Sequence, residues 1–339
     1  MTNEVIFVTH CDTNYLSRAL NLILSIRRNE CFSKILLVCH DEQTFAKASN
    51  RAIANVELIK LYEVEKKYKE LNIAKSNRSG LEYIFCLSPF VIKFVFENYI
   101  CDKVVYLDSD LFFFSNPKRL IDELGTNKDL MIIAHNFSDK LKHLEQYGKF
   151  NVGAVVFRNN LEAKKILGWW GLKCIQSTSI EKEKNIFGDQ KYLEDFSSLS
   201  DNVQEEFSNV LNVAPWNCES ITVKDKKILH NNEEIVFYHF SYLRNFKCVS
   251  RLGFAGYRKS MNSLTKKLIY IPYLESLFHI EKKYKLGRFL DSRKLSLREW
   301  IEEFRYNDLT FTIFKKMFIS IKFIFNRQSD FYIWNKNNY

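Results

Sequence analysis

The sequence contains little proline and glycine and has no long hydrophobic run. Its 339 residues include only four prolines and ten glycines, which excludes a collagen-like or low-complexity chain. No stretch of about 18 uncharged apolar residues occurs, so no ordinary transmembrane helix is predicted. The apolar run Val5–Val8 is too short for a signal peptide and is soon followed by Asp12. We therefore expect a globular, cytoplasmic protein.

The eight cysteines do not form a metal-binding pattern. None belongs to a C-x-x-C pair, and no two histidines have zinc-finger spacing. A chain of this length also does not need a disulfide framework to stabilise its core. We expect reduced thiols, without a zinc site.

Excess positive charge is confined to the C-terminal part of the chain. Residues 1–250 contain 32 Lys and Arg and 32 Asp and Glu, whereas residues 251–339 contain 18 and 8. The latter residues therefore account for the whole formal net charge of +10. This change predicts an α/β body over residues 1–250 and a basic, aromatic helical appendage over residues 251–339.

Within this appendage, residues 309–325 have the composition of a helix that lies on a membrane. Lys315, Lys316 and Lys322 share one side of a helical wheel, and Phe, Ile and Met cover most of the rest. The pattern favours peripheral contact with anionic lipids at the inner face of the membrane. The alternative is a helix that packs on the body or on another subunit. We recognise no nucleic-acid-binding module and expect no nucleic-acid partner.

Strand and helix patterns alternate along the body. The first three elements are a strand at Val5–Thr9, a helix at Asn14–Arg28 and a strand at Ile35–Cys39. Further strands are predicted at Glu57–Leu61, Lys103–Leu107, Met131–Ala134, Val152–Phe157 and Val236–Phe240, with an apolar helix from Ser88-Pro89 to about Tyr99. This alternation is typical of a Rossmann-like α/β fold, in which helices flank a mostly parallel sheet.

Two carboxylates follow directly after the apolar strand Val104–Leu107. Asp108 and Asp110 stand at positions i and i+2, which point to the same side of an extended backbone. Both can therefore face one cation, and carboxylate oxygens suit Mg²⁺ or Mn²⁺. Such a cation can neutralise a diphosphate leaving group. The alternative is an acid pair that ends the strand and meets only water.

Five further motifs accompany the Tyr106–Asp110 segment in a fixed order. They are Thr9–Tyr15, Phe150–Ala154, Gly188–Gln190, Ala214–Asn217 and Tyr238–Phe240. This ordered set, over about residues 4–245, resembles the nucleotide-diphospho-sugar transferases of the GT-A type, especially glycosyltransferase family 8. The resemblance implies a GT-A-like fold, a nucleotide-sugar donor, with UDP as the expected nucleotide, and a divalent metal cofactor, Mn²⁺ or Mg²⁺.

The resemblance also implies a metal site. Asp108 and Asp110 match the metal-binding pair, and His239 matches the third ligand. The alternative for His239 is a core histidine bonded to a backbone carbonyl. The glycine and lysine that usually follow this histidine are replaced by Ser241–Arg244, where Arg244 could restore the positive charge.

Donor-binding roles follow from the same resemblance. The residues that match are Thr9, Asp12, Asn14, Tyr15, Lys93, Asp108, Ser109, Asn151 and Arg244. A carboxylate can accept a base N–H and an aromatic ring can stack on a base, which suits Asp12 and Tyr15. Each residue also has a structural alternative: Asp12 and Asn151 as turn residues, Tyr15 in helix packing, and Lys93 as a lysine that extends its ammonium from an apolar helix to water.

Asp189 and Gln190 resemble the pair beside the anomeric carbon, which implies a retaining transfer. The structural alternative is that Asp189 caps the helix that follows it, and the two roles are compatible. The sequence thus predicts a metal-dependent glycosyltransferase of the hexosyltransferase type, with a glycan or lipid-linked acceptor in envelope glycan or lipid-linked oligosaccharide synthesis. A nucleotidyltransferase that makes the activated sugar and a non-catalytic, membrane-bound sugar-binding protein are the alternatives.

Overall fold

A mixed β-sheet forms the centre of the protein. The computed structural model describes residues 4–50, 53–180, 186–245, 249–257, 261–286 and 331–333. Its strands are β1 (Val5–Cys11), β2 (Lys34–Cys39), β3 (Val56–Lys60), β4 (Lys103–Leu107), β5 (Leu111–Phe113), β6 (Leu130–Ala134), β7 (Phe150–Arg158), β8 (Val203–Glu206), β9 (Ile221–Lys224), β10 (Lys227–His230), β11 (Glu233–Glu234), β12 (Phe237–His239), β13 (Arg244–Asn245), β14 (Val249–Arg251) and β15 (Phe331–Ile333).

Helices cover both faces of this sheet. They are α1 (Leu16–Arg28), α2 (Glu42–Ser49), α3 (Leu61–Lys67), α4 (Glu70–Asn77), α5 (Gly80–Asn98), α6 (Lys118–Asp122), α7 (Leu161–Gln176), α8 (Phe196–Leu199), α9 (Ser263–Thr265) and α10 (Ile271–Lys283). Short 3-10 helices occupy Asp139–Tyr147, Gln190–Asp195 and Phe254–Tyr257, and a π-helical turn, Lys266–Tyr270, precedes α10. Two large apolar clusters, one on each face of the sheet, form the core.

Seven strands form the main sheet, in the order β3-β2-β1-β4-β7-β6-β8. Every neighbouring pair is parallel except the two that involve β7, which runs against both β4 and β6. The mostly parallel sheet predicted from the sequence is therefore confirmed, with β7 as its one reversed strand. Strand order also reverses between β1 and β4, and open α/β sheets bind ligands outside the strand ends at such a point.

The reversal of β7 brings three parts of the chain to one edge of the sheet. β1 and β4 end at this edge, whereas β7 begins there, and Ala154 pairs with Leu107. The amide of Asp108 donates to the carbonyl of Gly153 over 2.8 Å. The residues after β1, after β4 and at the start of β7 are therefore neighbours.

The helix expected to begin at Ser88-Pro89 begins earlier, at Gly80, so that prediction of its start was wrong. Ser79 and Glu82 form a capping box, in which each side chain accepts a hydrogen bond from the other residue's backbone amide. Pro89 lies inside the helix, where its missing N–H removes one backbone hydrogen bond. The first two turns of this longer helix lie beside the edge of the sheet where β1 and β4 end and β7 begins.

The C-terminal residues that the structure describes pack on the body. Ser17 on α1 donates to Glu281 on α10 over 3.2 Å, and Arg28 donates to Ser276 over 3.0 Å. Buried apolar side chains of α10 join the same core as Tyr238 and Phe240. The change in charge near residue 250 therefore does not coincide with a break in packing, because α10 buries an apolar face against α1.

The predicted membrane-surface helix at residues 309–325 lies outside the described residues. Among the helices that the structure does describe, none combines the length and apolarity needed to cross a bilayer. Seven cysteines lie in the described ranges, and all seven are buried free thiols, as the sequence predicted.

Candidate active site

Two adjoining cavities open at the edge of the sheet where β1 and β4 end. The smaller one has a volume of about 250 Å³ and the larger one of about 870 Å³. Tyr15, Leu81, Phe85, Asp110, Asn151 and Gln190 line both. The two cavities therefore form one cleft, with Asp110 at their junction.

Asp108, Asp110 and His239 converge on one point of this cleft. One ligand atom of each lies within 4.8 Å of the others, and Nε2 of His239 is 3.2 Å from Oδ1 of Asp110. Antiparallel pairing of β5 with β12 places His239 opposite Leu111, next to the acid pair. The three residues, which stand far apart in the sequence, are thus brought together by one short ladder.

The three groups strongly affect each other's protonation. Burial raises the pKa of Asp108 to about 6, with a further increase from the charge of Asp110 and a decrease from His239. Burial also raises the pKa of Asp110, but His239 and Arg18 outweigh it, so the net shift is downward. Burial lowers the pKa of His239, whereas the two carboxylates raise it overall. Two half-buried carboxylates beside one imidazole leave excess negative charge that a cation would balance.

These residues fit a divalent metal ion. Two carboxylates and an imidazole are common ligands of Mn²⁺, whereas Mg²⁺ prefers oxygen alone. The Nδ1 atom of His239 is buried and has no hydrogen-bond partner among the described residues, so the ring is not committed to a backbone carbonyl through that atom. The donor set therefore favours a metal-binding role over a core histidine.

Gly153 permits this close packing. A Cβ atom at Gly153 would lie 2.3 Å from Oδ1 of Asn151 and 2.9 Å from Nδ1 of His239. Asn151 in turn accepts a hydrogen bond from the amide of Gly153 over 2.8 Å, and its Nδ2 is 3.1 Å from Nε2 of His135. A side chain at position 153 would displace the imidazole or the asparagine.

A buried hydrogen-bond network connects the metal-ligand candidates to Asp189. The hydroxyl of Tyr106 lies 3.0 Å from Oδ1 of Asp108, 2.9 Å from Nε2 of His10 and 3.4 Å from the hydroxyl of Ser88. Ser88 donates to Oδ2 of Asp189 over 2.7 Å. The network thus holds both carboxylates on the same wall of the cleft.

Asp189 is buried and its environment favours the neutral form. Burial and the nearby charge of Asp108 raise the pKa of Asp189 to about 7, although the hydrogen bond from Ser88 lowers it. The backbone of Asp189 precedes a 3-10 helix, but its side chain makes no capping hydrogen bond. Gln190 donates to the carbonyl of Tyr147 and lines both cavities. Both residues therefore lie where a ligand in the cleft would meet them.

The chain is similar in sequence to two proteins of Bacillus subtilis. No family model matches. The Bacillus subtilis protein YfnD, described as uncharacterized, is 29% identical over 279 residues, which cover 80% of this chain and 88% of YfnD. YfnF from the same organism, also described as uncharacterized, is 27% identical over 240 residues, which cover 68% of this chain and 78% of YfnF.

A solved structure, the bifunctional glycosyltransferase WbbM, superimposes with a TM-score of 0.50 at 16% identity. The match covers 86% of this chain and 52% of WbbM, so this chain matches about half of that protein's length. Together with the strand order and the reversed β7, this likeness decides the fold. The fold is of the GT-A type. The fold implied by the sequence resemblance is therefore confirmed.

Most of the residues predicted to bind the donor lie in the GT-A cleft. Asp12, Tyr15, Asp108, Ser109 and Asn151 line the smaller cavity, and Arg244 lines the larger one. Asp12 also has the structural role considered above, because its carboxylate accepts hydrogen bonds from the amides of Asn14 and Tyr15. A turn role and a ligand-binding role are compatible at this position.

Three predicted residues do not line the cleft. Thr9 is buried in β1, and its hydroxyl has no hydrogen-bond partner among the described residues. The side-chain amide of Asn14 donates to Asp12. The ammonium of Lys93 lies 4.7 Å from the ring centroid of Tyr68. The apolar surroundings of Lys93 in the sequence thus reflect a half-buried lysine over an aromatic ring, not a charge aimed into the GT-A cleft.

Sequence reasoning missed several residues of the cleft. The buried network is formed or extended by Ser88, Tyr106, His10 and His40. The ring of Trp216 packs edge-on against the ring of His239. Arg18 was also missed, although α1 gives a signal. The helix carries four buried polar residues beside its apolar ones: Ser17, Arg18, Asn21 and Ser25. A buried polar stripe of this kind indicates partners contributed by distant parts of the chain.

Proposed function

We propose that the protein is a glycosyltransferase that uses a divalent cation to move a sugar from a nucleotide-sugar donor to an acceptor hydroxyl. One observation carries the proposal: Asp108, Asp110 and His239 converge at the junction of a two-part cleft in a GT-A fold. A cation there, when bound, would neutralise the diphosphate that leaves the sugar. UDP is the favoured nucleotide because of the sequence resemblance.

The smaller cavity suits the donor. Asp12 and Tyr15 line it, so the carboxylate could accept a hydrogen bond from a base N–H and the aromatic ring could stack on the base. Asn151, Asp189 and Gln190 line the same cavity as the acid pair, and their polar side chains would bind sugar hydroxyls. With a pKa of about 7, Asp189 can donate or accept a hydrogen bond at neutral pH. Retention of the anomeric configuration is proposed from the sequence resemblance, and product NMR would test it.

The larger cavity suits the acceptor. Its wall is rich in aromatic side chains, which present flat apolar faces with polar edges. They are Tyr15, Phe85, Phe137, Tyr147, Phe187, Trp216, Tyr242 and Tyr257. Such a surface fits the apolar face of a sugar ring, and we propose a glycan or a lipid-linked oligosaccharide as acceptor.

A screen of nucleotide sugars tests the proposed function. Each donor is incubated with the protein, with and without Mn²⁺, and release of nucleoside diphosphate is followed. We expect metal-dependent release from at least one UDP-sugar. Asp201→Asn, a change of an exposed acid away from the cleft, is the matched control for acid-pair variants. Absence of both binding and release for every donor would contradict the proposal.

Contact with the inner face of an anionic membrane, through residues 309–325, is part of the proposal. Truncation before residue 309 would also remove β15, which pairs with β14. Glutamate substitution of Lys315, Lys316 and Lys322 is therefore the cleaner test. We expect the triple variant to cosediment less with anionic vesicles than the unchanged protein, because each lysine contributes about 1 kcal/mol at such a surface. Equal binding would contradict membrane contact through this segment.

A further inference from the structure

Arg18 is a buried cation in the wall of the larger cavity. Its side chain projects from the first turn of α1, and the residue is 5% exposed. It lines the cavity together with Asp110 and Arg244. An arginine in this position is unusual, because a buried charge is costly unless it is paired.

The protein provides hydrogen-bond acceptors for only some of the N–H groups of the Arg18 guanidinium. Nη2 of Arg18 donates to the carbonyl of Leu243 over 2.7 Å, and the group lies 4.4 Å from the ring centroid of Tyr15. An arginine has five N–H donors in a planar fork. Within the described part of the chain, this one hydrogen bond and the ring contact are its direct interactions. Several donors therefore remain for a ligand in the cavity.

The charge of Arg18 is permanent. Burial alone would lower its pKa, but Tyr15, Tyr273, Asp110 and Glu281 raise it overall. Asp110 lies 3.2 Å from Nε2 of His239, so its ion-pair partner is that imidazole and not the guanidinium. The cavity beside Asp110 thus contains a fixed positive charge with free donors, and the group that best complements it is a phosphate, which the planar fork can bind through two parallel hydrogen bonds.

We propose that Arg18 is a binding residue for a phosphate group in the cleft beside Asp110. This inference rests on the proposed function and adds to it a second positive group, in the same cavity wall as the metal-ligand candidate Asp110. Two substrates could bring such a phosphate: the diphosphate of the nucleotide sugar, or a lipid acceptor that carries a phosphate. Arg18 therefore helps to select anionic substrates, whichever of the two supplies the group.

Three substitutions separate charge from structure. Arg18→Gln keeps a donor for the carbonyl of Leu243 but removes the charge, Arg18→Lys keeps the charge, and Arg18→Met removes both. Arg28→Met is the matched control, since Arg28 lies on the same helix and donates to Ser276, outside the cleft. If the methionine variant at position 18 does not fold, the glutamine and lysine variants still give the test.

Calorimetric titration provides the measurement, with UDP, inorganic pyrophosphate and uridine in the presence of Mn²⁺, and a short polyprenyl phosphate in detergent as the fourth probe. We expect Arg18→Gln to bind UDP and pyrophosphate about 10–100-fold more weakly, the range for losing a charge-assisted hydrogen bond. Arg18→Lys should recover part of this loss, and uridine binding should not change. If only the polyprenyl phosphate is affected, the acceptor supplies the phosphate.

The results distinguish this inference from the proposed function. If the unchanged protein binds UDP with Mn²⁺ and Arg18→Gln binds every phosphate probe equally well, the inference is overturned and the proposed function stands. If Arg18→Gln weakens uridine as much as UDP, Arg18 only holds the turn at Leu243, which also overturns it. If the unchanged protein binds none of the probes, the proposed function and the inference both fail.

Discussion

The hydroxyl of Ser88 and the carboxylate of Asp189 lie 2.7 Å apart in the buried wall of the cleft. Ser88 belongs to α5, whereas Asp189 directly precedes the 3-10 helix Gln190–Asp195. The hydrogen bond therefore joins two elements that are far apart in the sequence. Because Ser88 also contacts Tyr106, which contacts Asp108, the two acids share one network. The position of Asp189 therefore depends on the same helix that closes the small cavity.

The first prediction concerns the stability of the protein without metal. The folded-state pKa of Asp189 is about 7, against a usual value of 3.8. Because this pKa is raised, the folded state holds its proton more tightly, and stability falls as pH rises from about 4 to 7. Linkage at about 1.4 kcal/mol per pH unit gives a cost of about 3 kcal/mol between pH 5 and pH 8.

Asp189→Asn should remove this cost while keeping a group that can bond to Ser88. Urea unfolding in EDTA at pH 5 and pH 8 measures the effect. We expect the variant to gain stability relative to the unchanged protein on going from pH 5 to pH 8. The same pH dependence in both proteins would show that Asp189 ionises normally.

The second prediction concerns the metal. Asp110→Asn keeps the shape of the side chain but removes a charge that a divalent cation needs, so Mn²⁺-dependent turnover should disappear. Removal of one of two carboxylate charges that repel each other should leave the metal-free fold intact. Mn²⁺ should raise the melting temperature of the unchanged protein and of Asp201→Asn, but not of Asp110→Asn. Full activity of Asp110→Asn would falsify the metal assignment.

The third prediction concerns His239 as a ligand. His239→Ala should weaken Mn²⁺ binding at least as much as loss of an outer-shell partner, about 10–100-fold, and excess Mn²⁺ should partly restore turnover. The Mn²⁺ dependence of the initial rate measures this. Because the ring also packs against Trp216, a modest loss of stability is expected as well. An unchanged Mn²⁺ dependence would leave His239 with a packing role alone.

The fourth prediction compares two glycines. Gly153→Ala should reduce Mn²⁺ affinity, because its Cβ would approach Asn151 and His239 to within 2.3 Å and 2.9 Å. Gly168→Ala, in α7, is the matched control, since its Cβ would meet no atom within 4 Å. In that helix alanine should stabilise the protein by about 0.5–1 kcal/mol. Equal Mn²⁺ affinity in the two variants would mean that the site tolerates a side chain at position 153.

Local patterns were sufficient to predict much of the sheet and the acid pair. The run at Lys103–Leu107 is apolar and β-branched, and β4 has these bounds. The strands predicted at Val5–Thr9 and Ile35–Cys39 also lie within β1 and β2. Asp108 and Asp110 could be predicted as a site because an end-of-strand position and an i, i+2 spacing are properties of the sequence itself.

Properties that depend on tertiary contacts could not be predicted in this way. Nothing in the pattern of β7 indicates that it runs against its neighbours, since strand composition does not specify direction. The start of α5 was missed because Pro89 is a strong local signal for a first turn, whereas the capping box at Ser79 and Glu82 lies further upstream. The network around Tyr106 unites residues from three elements, and only the fold brings them together.

The polar stripe of α1 has a consequence for the order in which the protein can be made. Asn21 donates to the carbonyl of Tyr273, Ser17 to Glu281, and Arg18 to the carbonyl of Leu243. During translation, the hydrogen-bond partners of these α1 side chains therefore leave the ribosome more than two hundred residues after α1 itself. A ribosome-bound chain that has not yet exposed residue 286 can pack the apolar residues of α1 on the strands, but it lacks the partners of Ser17 and Asn21. The packing of α1 should thus be completed only late in synthesis, when α10 docks.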